Sequence, residues 1–168
     1  MDSIAKTKVS YDRTMSVKEI RRSVKLLTGF DLRRMDSFTL VAMQAISQLL
    51  ENIELNGVTG LYGVANYFSV ELLQSLVISV EQKQDVRPFD FILSVGNAAN
   101  FYLAKQFSLN GPNIFLGTNN NAKENTKELI KVDSSTGLID SAIFIHWQES
   151  NNGIQCQAEL FSKNLSNI

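Results

Sequence analysis

The stretch GPNIFLGTNNNA, residues 111–122, decides how this chain is read. A Gly111-Pro112 turn leads into the short apolar run Ile114-Phe115-Leu116, which ends at Gly117-Thr118. Three consecutive amides, Asn119, Asn120 and Asn121, then open a polar segment with helix-start signals. Strand, sharp turn and helix is an arrangement that presents a reactive side chain at the positive end of a helix dipole, where a thiolate is favoured over a thiol. An asparagine amide cannot ionise near neutral pH, so the place of presentation holds nothing reactive.

Outward from this stretch the segments alternate. Ser16 followed by Glu19 is a capping-box pattern and predicts a helix over Val17–Leu27. Apolar residues at three- and four-residue steps from Phe38 to Ile53 predict a helix over residues 35–53. Thr59–Tyr67 reads as a buried strand. Ser69 is placed to cap a helix running to about Glu81, with Leu72, Leu73, Leu76, Val77 and Val80 on its inner side. After Pro88 a third apolar helix is expected at about Ala98–Phe107. Then come a strand at Asn113–Leu116, a helix at about Ala122–Val132 and a strand at Ser141–Trp147. A strand around Cys156 would close a hairpin with the last of these. Asn56-Gly57, Asn110-Gly111 and Asn152-Gly153 mark turns, because both residue types tolerate positive φ. Strands separated by helices imply right-handed crossovers. The expected fold is α/β, a mixed, mostly parallel sheet of about five strands covered on both faces. Residues 1–161 read as a single domain and residues 162–168 as a flexible tail.

Composition narrows the function classes. The 168 residues are 44% hydrophobic and 20% charged, with a net charge of −1. That suits one globular domain and gives no general reason to expect nucleic acid or a membrane as partner. Locally the charge is uneven. Nine cations (Lys6, Lys8, Arg13, Lys18, Arg21, Arg22, Lys25, Arg33 and Arg34) outnumber the acids of the first forty residues, which fits either a solvated helix face or the docking of an acidic partner. The single cysteine, Cys156, excludes an internal disulfide and reads as a small core residue on a strand. No apolar block near the N-terminus suggests a signal peptide, and no run approaches the roughly 18 apolar residues of a membrane span. The expected location is the cytoplasm.

Several pieces in order resemble the nucleophile region of β-ketoacyl-acyl carrier protein synthases, the condensing enzymes of the thiolase superfamily. They are Pro88-Phe89-Asp90-Phe91, then Asn97-Ala98-Ala99 opening a helix, then Leu109-Asn110-Gly111-Pro112-Asn113, with Gly137 and Asp140 at the family's later spacing. Upstream, Leu32-Arg33-Arg34-Met35-Asp36-Ser37-Phe38 resembles the run that opens an early family helix. The resemblance implies half of a thiolase-like fold.

It also carries three departures. Family members hold the growing acyl chain on a cysteine, and the matching position here is Asn120, which forms no thioester. The family takes two histidines and usually a lysine from a second half that this sequence does not reach. Its one histidine, His146, lies on the strand after the nucleophile helix and reads as structural or solvent-facing. The helix after Asn120 is small and apolar in the family. Here it carries Lys123, Glu124, Lys127, Glu128 and Lys131, too costly to bury unpaired, so at least one side should face water. Asn121 with Glu124 three residues on is a plausible cap.

These departures lead to an expectation of no catalysis, no metal and no cofactor. The resemblance places a dimer contact on Asn97, Phe101, Tyr102, Gly111, Pro112, Asn113, Ile114, Phe115, Leu116 and Thr118, and a carrier-protein docking point on Arg33 and Arg34. A non-catalytic subunit paired with a complete ketosynthase, in fatty-acid, polyketide or aryl-polyene-type assembly, is one reading. A homodimeric scaffold or acyl-binding protein is a second. An enzyme of unrelated chemistry is a third, although no metal cluster, phosphate loop or Ser-His-Asp order stands out.

Overall fold

A computed structural model describes residues 1–33, 35–66, 70–95, 97–117 and 121–163, with only the backbone of Val70 and Glu71. Arg34, Tyr67, Ser69, Thr118, Asn119, Asn120 and residues 164–168 lie outside the described residues, and with them the expected Ser69 cap and most of the tail.

Five strands form one sheet in the order β1-β5-β4-β2-β3. They are β1 (Asp2–Asp12), β2 (Thr59–Ala65), β3 (Asn113–Leu116), β4 (Ser141–Ser150) and β5 (Gly153–Ser162). β2 pairs in parallel with both β3 and β4, while β5 runs antiparallel to β4 and β1. Four of the five strands therefore point the same way. β2 is buried along its whole length, as its run of small and apolar residues requires of a strand covered on both faces. β4 and β5 close the expected hairpin through Asn151 and Asn152.

The two faces are covered unequally. Helices α1 (Val17–Thr28), α2 (Ser37–Leu49) and α5 (Ala98–Gln106) pack on one face around the larger core. In α2 every residue from Phe38 to Ile46 is buried, so it is apolar all round rather than striped. Trp147 of β4 joins it to the sheet, stacking on Phe38 with ring centroids 4.4 Å apart and donating from Nε1 to the Phe38 carbonyl at 2.9 Å. The other face carries α6 (Ala122–Ser135), which buries Ala122, Thr126, Ile130, Asp133 and Ser134. The Tyr62 hydroxyl donates to Asp133 Oδ2 at 2.6 Å and ties this helix to β2. Glu124, Asn125, Glu128 and Lys131 on α6 are exposed, as the charge pattern predicts. The Cys156 thiol is fully buried in the larger core.

Several expectations need correction. α1 has both halves of its capping box, but α2 starts at Ser37 because the Asp36 carboxylate accepts from the Thr39 amide at 2.9 Å. It ends at Leu49; Leu50 and Ile53 still pack on the core as part of the chain that follows. β1 and the short helix α4 (Pro88–Leu93) were not expected. The alternation Thr7, Val9, Tyr11 is interleaved with lysine and serine, and β1 owes its form to pairing with β5. α6 runs three residues further than expected. Asn121 stands at its N-cap position with φ −115°, but its side chain makes no capping hydrogen bond to the first turn. The largest difference is α3 (Val70–Glu81): Leu72 and Leu76 are half-buried, whereas Leu73, Val77 and Val80 are exposed. α3 packs against α4 rather than on the sheet, so most of its expected inner side faces outward.

Candidate functional site

β3 is the outermost strand on its side of the sheet, and all four of its residues are half-buried. The Gly111-Pro112 turn sets it against β2. The Gly111 amide donates to the Thr59 carbonyl at 2.9 Å, and the Leu61 amide donates to the Pro112 carbonyl at 2.8 Å. A Cβ on residue 111 would lie 2.7 Å from the Thr59 carbonyl carbon and oxygen, so only glycine allows this approach. Asn110 Oδ1 accepts from the Thr59 amide at 3.0 Å, which locks the turn to the start of β2.

α5 is fastened to the same strand. Asn100, wholly buried, donates from Nδ2 to the Ile114 carbonyl at 2.9 Å, and Asn113 Nδ2 donates to the Asn100 carbonyl at 3.3 Å. The sequence-derived contact residues are therefore brought together at one end of the sheet. Asn97 opens α5 and is exposed, Phe101 is 57% exposed, and Tyr102 is half-buried against Phe101. Gly111, Pro112, Asn113, Ile114, Phe115 and Leu116 are half-buried along the edge, with Phe115 facing the Trp147 ring. Thr118 lies outside the described residues.

An apolar arm continues from this edge. α5 touches α4, and α4 touches α3. On it Val77, Ile78, Val80, Phe91, Ile92 and Val95 are all exposed, Val80 and Phe91 at 65% each. A lone exposed apolar side chain is ordinary, whereas six on neighbouring helices and their connection are more than scattered exposure. A cleft of about 930 Å³ separates the arm from α1 and the start of α2, lined by Met35, Phe38, Leu72, Phe89 and Leu93 among others. Leu72, Leu73, Leu76, Val77 and Val80 do lie within about 140° of one another around the helix, but that stripe packs only in part, through Leu72 and Leu76.

The described part of this segment ends at Leu116 and Gly117, and Asn120 lies outside the described residues. The histidine and the cysteine of the sheet are both chemically quiet. Burial pushes the Cys156 thiol well up, away from the nucleophilic thiolate. His146 is buried in mid-strand rather than solvent-facing, and its Nδ1 has no hydrogen-bond partner. Burial first, then the charge of Lys123, holds its imidazole down to about 4. Among the described residues, no cluster of His, Cys, Asp and Glu is arranged to hold a metal ion. Arg33 is exposed, with Nε 3.6 Å from Asp31 Oδ1, and Arg34 lies outside the described residues.

No family model and no curated protein matches this sequence. Solved structures do match it. The ishigamide ketosynthase/chain length factor superposes with a TM-score of 0.75 over 97% of this chain, at 14% identity. The chain has a ketosynthase-like fold. It spans 62% of the length of that matched chain. In the complex of a ketosynthase (ApeO) with its chain length factor (ApeC) from Xenorhabdus doucetiae, the match covers 98% of this chain and 79% of that one. The TM-score is 0.70 and the identity 12%. β-Ketoacyl-acyl carrier protein synthase III of Thermus thermophilus matches with a TM-score of 0.58 at 13% identity, over 97% of this chain and 51% of its own. The ketosynthase-like fold thus extends over nearly all of the present sequence.

Proposed function

We propose that this protein is a non-catalytic, ketosynthase-like subunit that associates with a complete β-ketoacyl synthase in fatty-acid or polyketide-type assembly. Its role is to shape the partner's acyl chamber, as a chain length factor does, or to stabilise the partner. The observation that carries this reading is the contrast between the two edges of the sheet. β1 is guarded: Lys6 and Lys8 project from it, and its register shifts between Ser3 and Ala5. Lysines and bulges are devices that stop an edge from pairing. β3 has no charged residue, no bulge and no lysine, and the exposed arm of α3 and α4 continues its apolar surface. One edge is closed to partners and the other is open.

Three further points support it. Solved structures with this fold include the ishigamide ketosynthase/chain length factor and the ApeO–ApeC complex of a ketosynthase with its chain length factor. The residue that aligns with the family nucleophile is Asn120, whose neutral amide holds no acyl group. The outward face of α6 is polar and suits water better than a further apolar layer. In this scheme the partner supplies the cysteine and the histidines, and Arg33 with Arg34 offers a docking point to an acidic carrier protein. The test is to express the chain alone and together with a cysteine-bearing ketosynthase from the same source, then assay condensation of malonyl units. The pair is expected to condense and the isolated chain to be inactive. Condensation by the isolated chain would overturn the reading, and a homodimer that ignores the ketosynthase would favour a self-associating scaffold instead.

A further inference from the structure

Three Asn-Gly pairs stand in turns of this chain, and the fold treats them differently. In such a pair the glycine nitrogen has no Cβ beside it and can attack the side-chain carbonyl of the asparagine. The attack needs a backbone N–H that is not already donating and an asparagine side chain free to swing onto it. Asn110-Gly111 meets neither condition. The Gly111 amide donates to the Thr59 carbonyl at 2.9 Å, and Asn110 Oδ1 accepts from the Thr59 amide at 3.0 Å. Asn152-Gly153 is held between strands: Gly153 pairs with Ser150 on one side and Asp12 on the other, and the Asn152 carbonyl accepts from the Arg13 amide at 3.1 Å. At Asn56-Gly57 both residues are exposed. Among the described residues, no hydrogen bond engages the Asn56 side chain or the Gly57 amide.

We propose that Asn56 is a site of self-modification, converted to aspartate and isoaspartate in the folded protein while Asn110 and Asn152 are spared. The Gly57 nitrogen bonds to Asn56 Cγ, the C–N bond of the side-chain amide breaks, and ammonia leaves with the proton that the Gly57 nitrogen gives up. Water then opens the succinimide ring. Opening at Cγ gives aspartate, and opening at the backbone carbonyl gives isoaspartate, whose main chain is one atom longer. The position matters because the next residue is a clamp. The Val58 amide donates to Asp140 Oδ2 at 2.8 Å, and its carbonyl accepts from the Asp140 amide at 2.8 Å and the Ser141 amide at 3.2 Å, joining the starts of β2 and β4. Gly57, at φ 76°, lies so close to the Asp140 carboxylate that a Cβ would not fit. An extra main-chain atom ahead of this clamp displaces it, and the new carboxylate enters a hollow that Glu54 and Asp140 already line. The product is less stable than the parent. None of this depends on the ketosynthase contact.

Ageing the purified full chain in warm, mildly alkaline buffer, folded and in urea, tests the proposal by peptide mapping with mass spectrometry. In the folded chain the peptide containing Asn56 should gain the mass of an amide-to-acid exchange roughly tenfold or more faster than those containing Asn110 or Asn152, whose hydrogen bonds must open first. In urea the three should react at similar rates. Aged wild type should melt at a lower temperature than fresh protein, whereas aged Asn56→Ser, whose hydroxyl closes no such ring, should keep its melting temperature. Reaction at Asn110 or Asn152 as fast as at Asn56 in the folded chain overturns the proposal. So does a preference for Asn56 that urea leaves intact, since the fold would then not be its cause. Conversion of Asn56 with an unchanged melting temperature overturns the link to the Val58–Asp140 clamp.

Discussion

The imidazole of His146 is buried within β4, and Lys123 at the start of α6 further opposes its protonation. Its pKa falls from 6.5 to about 4 on folding. The folded state therefore favours the neutral form, so the stabilisation is complete above pH 6.5 and is lost as pH falls from 6.5 toward 4. Chemical denaturation across that window should show a loss on the order of 2 kcal/mol in the wild type. A His146→Gln variant should lack most of that slope. A second residue-scale test concerns Tyr62, whose phenol is pushed upward by burial first and then by Asp133. Tyr62→Phe leaves a buried carboxylate without its donor, and urea titration should register a cost of about 1–3 kcal/mol. At position 120 the chemistry was readable without coordinates, because the identity of one side chain decides whether a thioester can form. Asn120→Cys should restore a thiol but no unaided condensation, since the described sheet offers only a buried, neutral histidine.

At the scale of elements, local signals worked where the determining contacts are local. The Ser16–Glu19 box fixed the start of α1, and the Asn110-Gly111-Pro112 turn fixed β3. β1 escaped because its form comes from β5, about 150 residues away in sequence. α4 escaped because six residues give too little periodicity, even with Pro88 at its first turn. The orientation of α3 escaped for a different reason: an apolar stripe shows that one side of a helix is hydrophobic, not that it packs on the sheet. The Gly111 approach to Thr59 makes a direct test. Gly111→Ala would drive a methyl against backbone that cannot yield, and thermal unfolding should show a loss of roughly 1–3 kcal/mol. By contrast Phe101→Asp changes an exposed ring on α5 and should leave the melting temperature of the isolated chain nearly unchanged.

For the whole molecule, the inference from sequence to fold held because the resemblance rests on spacing, and spacing is what topology constrains. The match to a ketosynthase-like path covers 97% of the chain at only 14% identity. What spacing does not encode is the quality of a surface. The open β3 edge and the exposed α3 and α4 arm emerge only when the strand order is known. The direct measurement is native mass spectrometry of the chain co-expressed with a cysteine-bearing ketosynthase from the same source. A one-to-one complex with the wild type that is lost with Phe101→Asp and with Ile114→Lys is the predicted result. A wild-type chain that stays monomeric beside the ketosynthase, or a complex indifferent to both substitutions, would contradict the account.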